Sequence, residues 1–163
     1  MPSKILREIK PSKPFQTLQQ KAFLNLVRTA DALTRSSEQL LRPHGLTFTQ
    51  YNVLRILRGA GEAGASCSQI GERMITTEPD VTRLLDRLER CRWIRRERGT
   101  IDRRRVTTRI TPQGRKLLKR LDEPVRRLHQ RQFATLSRPE IELMIAKLEA
   151  VRAGLATPSR RAR

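Results

Sequence analysis

Short polar and cationic side chains concentrate between residues 76 and 105, and their types suit contacts with a polyanion. A helix beginning at Thr77 would carry hydroxyl and carboxyl groups near its amino end and arginines further along, and such groups bond the base edges in a DNA groove. Its candidate contact residues are Thr76, Thr77, Pro79, Asp80, Thr82, Arg83 and Arg87. Asp80 has two interpretations, a helix cap or an acceptor from a cytosine amino group, and capping is favoured.

An arginine-rich segment follows this helix. Seven arginines lie between Arg92 and Arg105 against the two acids Glu97 and Asp102, a net charge of +5. The tip of a hairpin here would place cations where the negative potential of a minor groove is focused. The candidate residues at the tip are Asp102, Arg103, Arg104 and Arg105. We expect Arg103 and Arg104 to enter the groove, with Asp102 holding one guanidinium in position.

The whole chain is strongly cationic, with 35 Lys plus Arg against 16 Asp plus Glu and a formal net charge of +19 over 163 residues. This charge predicts a polyanionic partner, with a membrane surface or an acidic protein as the alternative. No apolar run approaches the roughly 20 residues that span a bilayer, and residues 1–14 lack the apolar core of a signal peptide. We therefore expect a cytoplasmic, nucleoid-associated protein that makes no membrane contact.

Cysteine and histidine are too scattered to predict a metal site or a cofactor. Cys67, Cys91, His44 and His129 match no metal-ligand spacing. Ordinary small side chains are the favoured interpretation of both cysteines, although Cys67 lies beside a predicted helix start, where a thiolate is stabilised. The sequence shows no nucleophile paired with a base and no phosphate-binding glycine loop, so we expect that the protein is not an enzyme.

Hydrophobic periodicity predicts a mainly α protein with a small β-hairpin. The predicted helices are 15–41, 47–59, 67–74, 78–91, 112–135 and 138–155, and the predicted strands are 93–98 and 105–110. Capping boxes, in which two residues three positions apart bond each other's backbone amides, mark four helix starts. These are Thr47 with Gln50, Ser66 with Gln69, Thr77 with Asp80, and Ser137 with Glu140, while Thr111 followed by Pro112 marks a fifth start.

The order of these elements predicts a function. Two short helices joined by a tight turn, the second with a polar face and followed by a basic hairpin, are typical of a winged helix-turn-helix that reads duplex DNA. Taken alone, the second helix is better interpreted as a solvated surface helix, and the arginines as a solvated turn. For the whole chain, the alternative is an architectural or RNA-associated basic protein that binds by charge without sequence preference.

Three stretches of the sequence resemble the MarR family of bacterial and archaeal transcription regulators. They are Leu46-Thr-Phe-Thr-Gln-Tyr-Asn-Val-Leu, Asp80-Val-Thr-Arg-Leu-Leu-Asp-Arg-Leu-Glu and Asp102-Arg-Arg-Arg-Val-Thr-Thr-Arg-Ile-Thr-Pro-Gln-Gly114, and the resemblance covers about residues 15–155. It implies a winged helix-turn-helix repressor that binds a pseudo-palindromic operator as a homodimer. It also implies that Arg104 is the minor-groove residue, and that Thr77, Pro79, Asp80, Thr82 and Arg83 form the amino-terminal part of the recognition helix.

The resemblance also implies a division of the chain. Residues 1–14 form a basic amino-terminal arm and residues 156–163 a basic tail. Residues 15–42 and 112–155 form the helical dimerisation region, and residues 45–111 form the DNA-binding lobe.

A small aromatic effector is a further implication of the resemblance. It would bind between the dimerisation helices and the lobe and release DNA, with Phe23, Val27, His44, Phe48 and Tyr51 as candidate lining residues. A core or solvated-loop position is the favoured interpretation of each. Thiol-based redox sensing is another alternative, although neither Cys67 nor Cys91 lies where the oxidant-sensing members of the family carry their reactive cysteine.

Overall fold

The computed structural model describes residue 8 and residues 15–76, 78–98 and 106–156. The helices are α1 (Leu18–Leu41), α2 (Phe48–Ala60), α3 (Cys67–Arg73), α4 (Val81–Arg90), α5 (Pro112–Gln132) and α6 (Arg138–Ala156), and the strands are β1 (Ile94–Arg98) and β2 (Val106–Ile110). Short 3-10 turns, Arg42–His44 and Gly61–Ala63, follow α1 and α2. The predicted mainly α fold with one hairpin is confirmed. The predicted arm, apart from Glu8, and residues 157–163 of the predicted tail lie outside the described residues.

The chain divides into two compact units, Met1–Val125 and Arg126–Arg163. The first contains α1 to α4, the hairpin and the first part of α5, and the second contains the end of α5 and α6. No helix in the described part of the chain is both long and apolar enough to cross a membrane.

Side-chain caps fix most helix starts where the sequence predicts them. Thr47 and Ser66 each accept the backbone N–H of the glutamine three residues on, and each glutamine side chain accepts the N–H of the capping residue. Each pair thus satisfies two amide groups that the first turn leaves without partners. Thr111 accepts the N–H of Gly114 at 3.1 Å, as predicted for a helix with proline at its first position.

The predicted start of the fourth helix is wrong by three residues. α4 begins at Val81, and its cap is Asp80, whose carboxylate accepts the N–H of Arg83 at 2.9 Å. The physical reason lies in Pro79, because a residue before proline is disfavoured in the α conformation and Glu78 therefore does not open the helix. Pro79, which we predicted to lie on the helix, precedes it, as does Thr76, one of the predicted contact residues.

The core of the first unit gathers around α2. Val53, Leu54 and Leu57 of that helix are fully buried together with Ile70 of α3 and Leu88 of α4. Side chains of α1, the hairpin and α5 complete the same cluster: Leu41, Ile94, Ile110, Leu118 and Leu121. The core thus fixes α4 through one side only.

The two strands pair antiparallel, with Ile94 opposite Ile110 and Arg98 opposite Val106. Thr108 is also paired to Ala65, which precedes α3, through two backbone hydrogen bonds of 2.8 and 3.0 Å. β1 begins at Ile94, one residue later than predicted, and β2 is described from Val106, because the predicted first residue of β2, Arg105, lies outside the described residues. We call β1, β2 and the segment between them the wing.

Candidate nucleic-acid interface

Helix α4 has one apolar and one polar side. Leu84, Leu85 and Leu88 are buried in the core, whereas Thr82 and Arg87 are exposed, as are Arg83 and Arg90. This division follows from the i, i+3, i+4, i+7 spacing of Val81 and the three leucines, which places them on one stripe of the helix. The polar side therefore faces solvent, as a helix that enters a DNA groove requires.

Asp80 organises the start of α4. One of its carboxylate oxygens caps the helix, and the other is 3.2 Å from Nε of Arg83. The side chain of Arg83 remains 81% exposed, so its outer nitrogens stay accessible. The favoured role of Asp80 as a cap is therefore the one seen, and the same carboxylate orients an arginine of the polar face.

A buried side chain of α2 fixes the connection between α3 and α4. Asn52, a buried residue of α2, accepts the backbone N–H of Ile75 through Oδ1 at 3.0 Å. Thr76 is exposed directly after this point, while Thr77 lies outside the described residues. Sequence reasoning missed Asn52, although an amide within the apolar run Tyr-Asn-Val-Leu is a signal for a buried polar contact.

The strands of the wing carry arginines that are engaged within the protein. Glu97 contacts Arg95 at 3.0 Å through one oxygen and Arg109 through the other, and Arg109 also donates to the carbonyl of Glu62 at 2.7 Å. Arg95 and Arg109 are cross-strand neighbours, so the carboxylate between them relieves their repulsion. The predicted tip residues Asp102, Arg103, Arg104 and Arg105 lie outside the described residues, and their roles stay predictions.

Arg96 joins the wing to α4. Its guanidinium lies 2.6 Å from Asp86 and 2.6 Å from Glu89, and the second oxygen of Glu89 accepts the backbone N–H of Arg96 at 3.0 Å. The hydrogen bond that Arg96 donates to Glu89, followed by the one it donates to Asp86, raises the pKa of Arg96 above its ordinary range against the effect of desolvation. From the sequence, Arg96 is one of the cations of the wing. In the structure, two carboxylates of α4 neutralise its charge.

The five residues predicted to line an effector site fall into two groups. Phe23 and Val27 are 62% and 50% exposed on α1, and His44 is exposed on the turn that follows. Tyr51 is buried in the core with its hydroxyl 2.9 Å from Nη1 of Arg55, and Phe48 packs against that core. A shared pocket for all five stays a prediction.

Both cysteines are exposed thiols. Sγ of Cys67 lies 4.0 Å from the hydroxyl of Thr82 on α4. A cavity of about 190 Å³ opens here, lined by Cys67, Thr82, Leu85, Arg96, Val106 and Thr108. Among the residues that the structure describes, no three His, Cys, Asp or Glu side chains come together as ligands for a metal ion.

Comparison with known proteins identifies the family. Residues 44–105 match the pattern of the MarR family. The chain is 36% identical to the HTH-type transcriptional regulator TtmR of Methylorubrum extorquens over 66% of this chain and 54% of TtmR, so it spans about half the length of that relative. It is 32% identical to the HTH-type transcriptional regulator YkoM of Bacillus subtilis over 77% of this chain and 83% of YkoM.

Comparison with solved structures supports the same family. A MarR transcription factor from Planctomyces limnophilus is 39% identical, with a TM-score of 0.66 over 84% of this chain and 99% of that one. The S. aureus MepR–DNA complex is 27% identical, with a TM-score of 0.73 over 80% of this chain and 96% of that one. With the exposed polar helix beside the wing and relatives of this likeness in sequence and fold, the chain belongs to the MarR family of winged helix-turn-helix transcription regulators.

Proposed function

We propose that this protein is a transcriptional repressor that binds a pseudo-palindromic DNA operator as a homodimer. The observation that carries the proposal is the solvent-facing polar side of α4, beside a pair of strands whose connecting sequence contains three successive arginines. A major groove admits one α-helix, and threonine and arginine side chains are suited to its base edges and phosphates. MepR, a relative of the same fold, has been solved bound to DNA.

In the proposed complex the amino-terminal half of α4 enters the major groove. Thr82 and Arg83 face the bases there, and Arg87, one turn further on, reaches base edges or phosphates. The wing tip lies in the adjacent minor groove, where Arg104 makes the main contact and Asp102 holds a neighbouring guanidinium. Thr76, Thr77 and Pro79 contact the backbone at the entry of the helix, with the lobe residues 45–111 as the reading module.

The homodimer is proposed from the apolar side chains that one chain leaves in solvent. Phe23, Leu26 and Val27 of α1 lie at i, i+3 and i+4, and each is at least 42% exposed. α6 exposes four more large apolar residues: Leu143, Ile145, Val151 and Leu155. Exposed apolar stripes of this kind mark association surfaces, and a two-fold dimer places two copies of α4 on half-sites about one helical turn apart.

Release by a small aromatic effector completes the proposal. Phe23 and Val27 would contribute from α1, and His44, Phe48 and Tyr51 from the turn and α2. Phe48 packs against the core at the start of α2, and Asn52, four residues further along the same helix, is buried and fixes the turn before α4. A ligand that shifts this end of α2 therefore moves the DNA-reading helix. The protein acts in the cytoplasm on the nucleoid and catalyses no reaction.

Selection from random duplexes tests the proposal against charge-driven binding. A regulator enriches a palindrome, whereas an architectural protein enriches no sequence. With the enriched duplex, we expect Arg104→Ala to weaken binding by about fivefold or more and to relax sequence preference, since a groove contact contributes about 1–3 kcal/mol of discrimination.

The matched control is Arg160→Ala in the predicted tail, which removes the same charge and lowers only the affinity for unrelated DNA. Enrichment without symmetry, or equal operator affinity of wild type and Arg104→Ala in gel-shift titrations, would contradict the proposal.

A further inference from the structure

We propose that Arg96 is a positioning residue for DNA reading, holding the wing at a fixed angle to α4 through Asp86 and Glu89. This inference rests on the proposed function and deepens it. Arg96 itself makes no contact with DNA in this proposal. It acts by determining where the arginines of the tip lie relative to the polar face of α4.

The position of Arg96 along the wing makes this role effective. Side chains at alternate positions of a strand share a face, so Ile94, Arg96 and Arg98 of β1 point to the same side. Ile94 is buried at the inner end of the wing, whereas Val106, the partner of Arg98, is 38% exposed. Hydrophobic packing therefore holds the inner end, while Arg96, in the middle of β1 and opposite Thr108, supplies the side-chain contact to α4.

The geometry of the contact restrains both direction and distance. Glu89 accepts Nε and Nη2 of Arg96 through one oxygen, at 2.8 and 2.6 Å, and the backbone N–H through the other. Asp86, one turn earlier on α4, takes Nη2 at 2.6 Å. These charge-assisted hydrogen bonds hold both the side chain and the backbone of Arg96, so they fix the strand as well as the guanidinium. The side chain of Arg96 is 27% exposed, so solvent weakens the contact only in part.

The charges themselves support a positioning role. Asp86 and Glu89 place two carboxylates on a helix that is proposed to approach a polyanion, and the chain as a whole carries +19. Electrostatics alone would favour their replacement by neutral residues. Their presence is explained if the placement of the wing contributes more to operator binding than the two negative charges subtract from it.

The positioning role and pure electrostatics predict opposite changes in operator affinity, so one variant distinguishes them. In Glu89→Gln the lobe loses one negative charge, so pure electrostatics predicts tighter DNA binding, whereas the positioning role predicts weaker operator binding. We expect the affinity for the selected operator duplex to fall about tenfold, within the usual effect of one lost groove contact. The affinity for a scrambled duplex of equal length stays level or rises slightly. The matched control is Glu72→Gln, on α3, whose carboxylate accepts from Ser68 of the same helix.

The salt dependence gives a second readout that distinguishes positioning from direct contact. Arg96→Met keeps the apolar stem and should lower operator affinity without changing the slope of log affinity against log salt. A direct phosphate contact would lower that slope by about 0.9. The double variant Arg96→Met with Glu89→Gln should be no weaker than the weaker single variant, because both changes break the same contact.

Thermal unfolding verifies that each variant is folded, and Asp86→Asn repeats the sign test while leaving the Glu89 contact intact. Operator affinities of Glu89→Gln and Asp86→Asn that equal or exceed that of Glu72→Gln would overturn the positioning role alone. A wild type that does not prefer the selected duplex would overturn the proposed function and this inference with it.

Discussion

The lobe and α1 differ in how completely a single chain covers their apolar residues. In the lobe, Val53, Leu54 and Leu57 are fully buried, and the buried polar side chains of the described residues all have hydrogen-bond partners. Along α1, in contrast, Leu18 is 75% exposed, Phe23 is nearly as exposed, and among the described residues of the helix only Leu41 is fully buried. The separate unit that contains α6 shows the same exposure at Leu143 and Leu155.

This contrast indicates that the two parts obtain their stability from different sources. The lobe completes its core within one chain and can present α4 in a fixed orientation. The apolar side of α1 needs another surface, because a stripe of this kind in water gives up burial free energy of about 25 cal/mol per Å². A second copy of the chain is the occupant that the proposed two-fold operator requires.

Placing a charge on α1 tests the contrast most strongly. Phe23→Asp puts a carboxylate in the middle of the exposed stripe, and we expect the dimer to dissociate at micromolar concentration. Because two linked half-site contacts exceed one by about 10²–10⁴ in affinity, operator binding should fall about 100-fold or more. Sedimentation equilibrium gives the mass and gel-shift titration the affinity, while circular dichroism should show an intact lobe.

Asn25→Asp is the matched control. It adds the same charge two residues on, about 200° around the helix axis, where the side chain is exposed and bonds the carbonyl of Lys21. Equal masses for wild type, Phe23→Asp and Asn25→Asp would mean that the exposed side of α1 is not an interface.

Adding one methyl group at each of two glycines compares a tightly packed position of the first unit with an open position on α6. A Cβ at Gly114 would lie 2.3 Å from the carbonyl oxygen of Trp93 and 2.9 Å from Cγ1 of Ile110. Gly114→Ala should therefore destabilise the protein by about 2–3 kcal/mol in urea unfolding, since the backbone must shift. Gly154→Ala meets nothing within 4 Å and should stabilise α6 by up to about 1 kcal/mol. The contrast fails if both variants change stability in the same direction.

The smallest expected effect concerns the junction of α4 and β1. Arg92 has a φ of +58°, a left-handed conformation that costs a side chain about 1–2 kcal/mol relative to glycine. Arg92→Gly should therefore stabilise the lobe by about 1 kcal/mol in thermal unfolding. Arg90→Gly, which removes the same charge from the last residue of α4, should destabilise it by up to about 1 kcal/mol, the cost of glycine in a helix. A loss of stability in Arg92→Gly would show that the Arg92 side chain has a contact that outweighs the backbone cost.

Local signals in the sequence were sufficient for most of the fold. Capping residues act within three positions, so Thr47 and Ser66 predicted the starts of α2 and α3, and the leucine spacing predicted which side of α4 is buried. The start of α4 was misplaced because two possible caps, Thr77 and Asp80, lie three residues apart. Only the conformation forced by Pro79 chooses between them.

Contacts between elements could not be predicted from the sequence. Nothing local indicates that Asn52 reaches the amide of Ile75, 23 residues away, or that Arg96 turns back to α4. No sequence pattern indicates a partner for Asp86 or Glu89, because that partner is fixed only once β1 folds against the helix. The polar face could therefore be predicted, but the side chains that orient the wing could not.

Because of the ion pairs along the strands of the wing, different parts of the wing affect the association rate and the dissociation rate of DNA. Arg95, Arg96 and Arg109 each lie against a carboxylate, so beyond about 10 Å their fields largely cancel at ordinary ionic strength. In the sequence, Arg103, Arg104 and Arg105 outnumber their one acidic neighbour, Asp102, and in the proposed complex they govern the diffusional encounter rate. The paired strands instead govern the dissociation rate, since their bonds must hold while the complex persists.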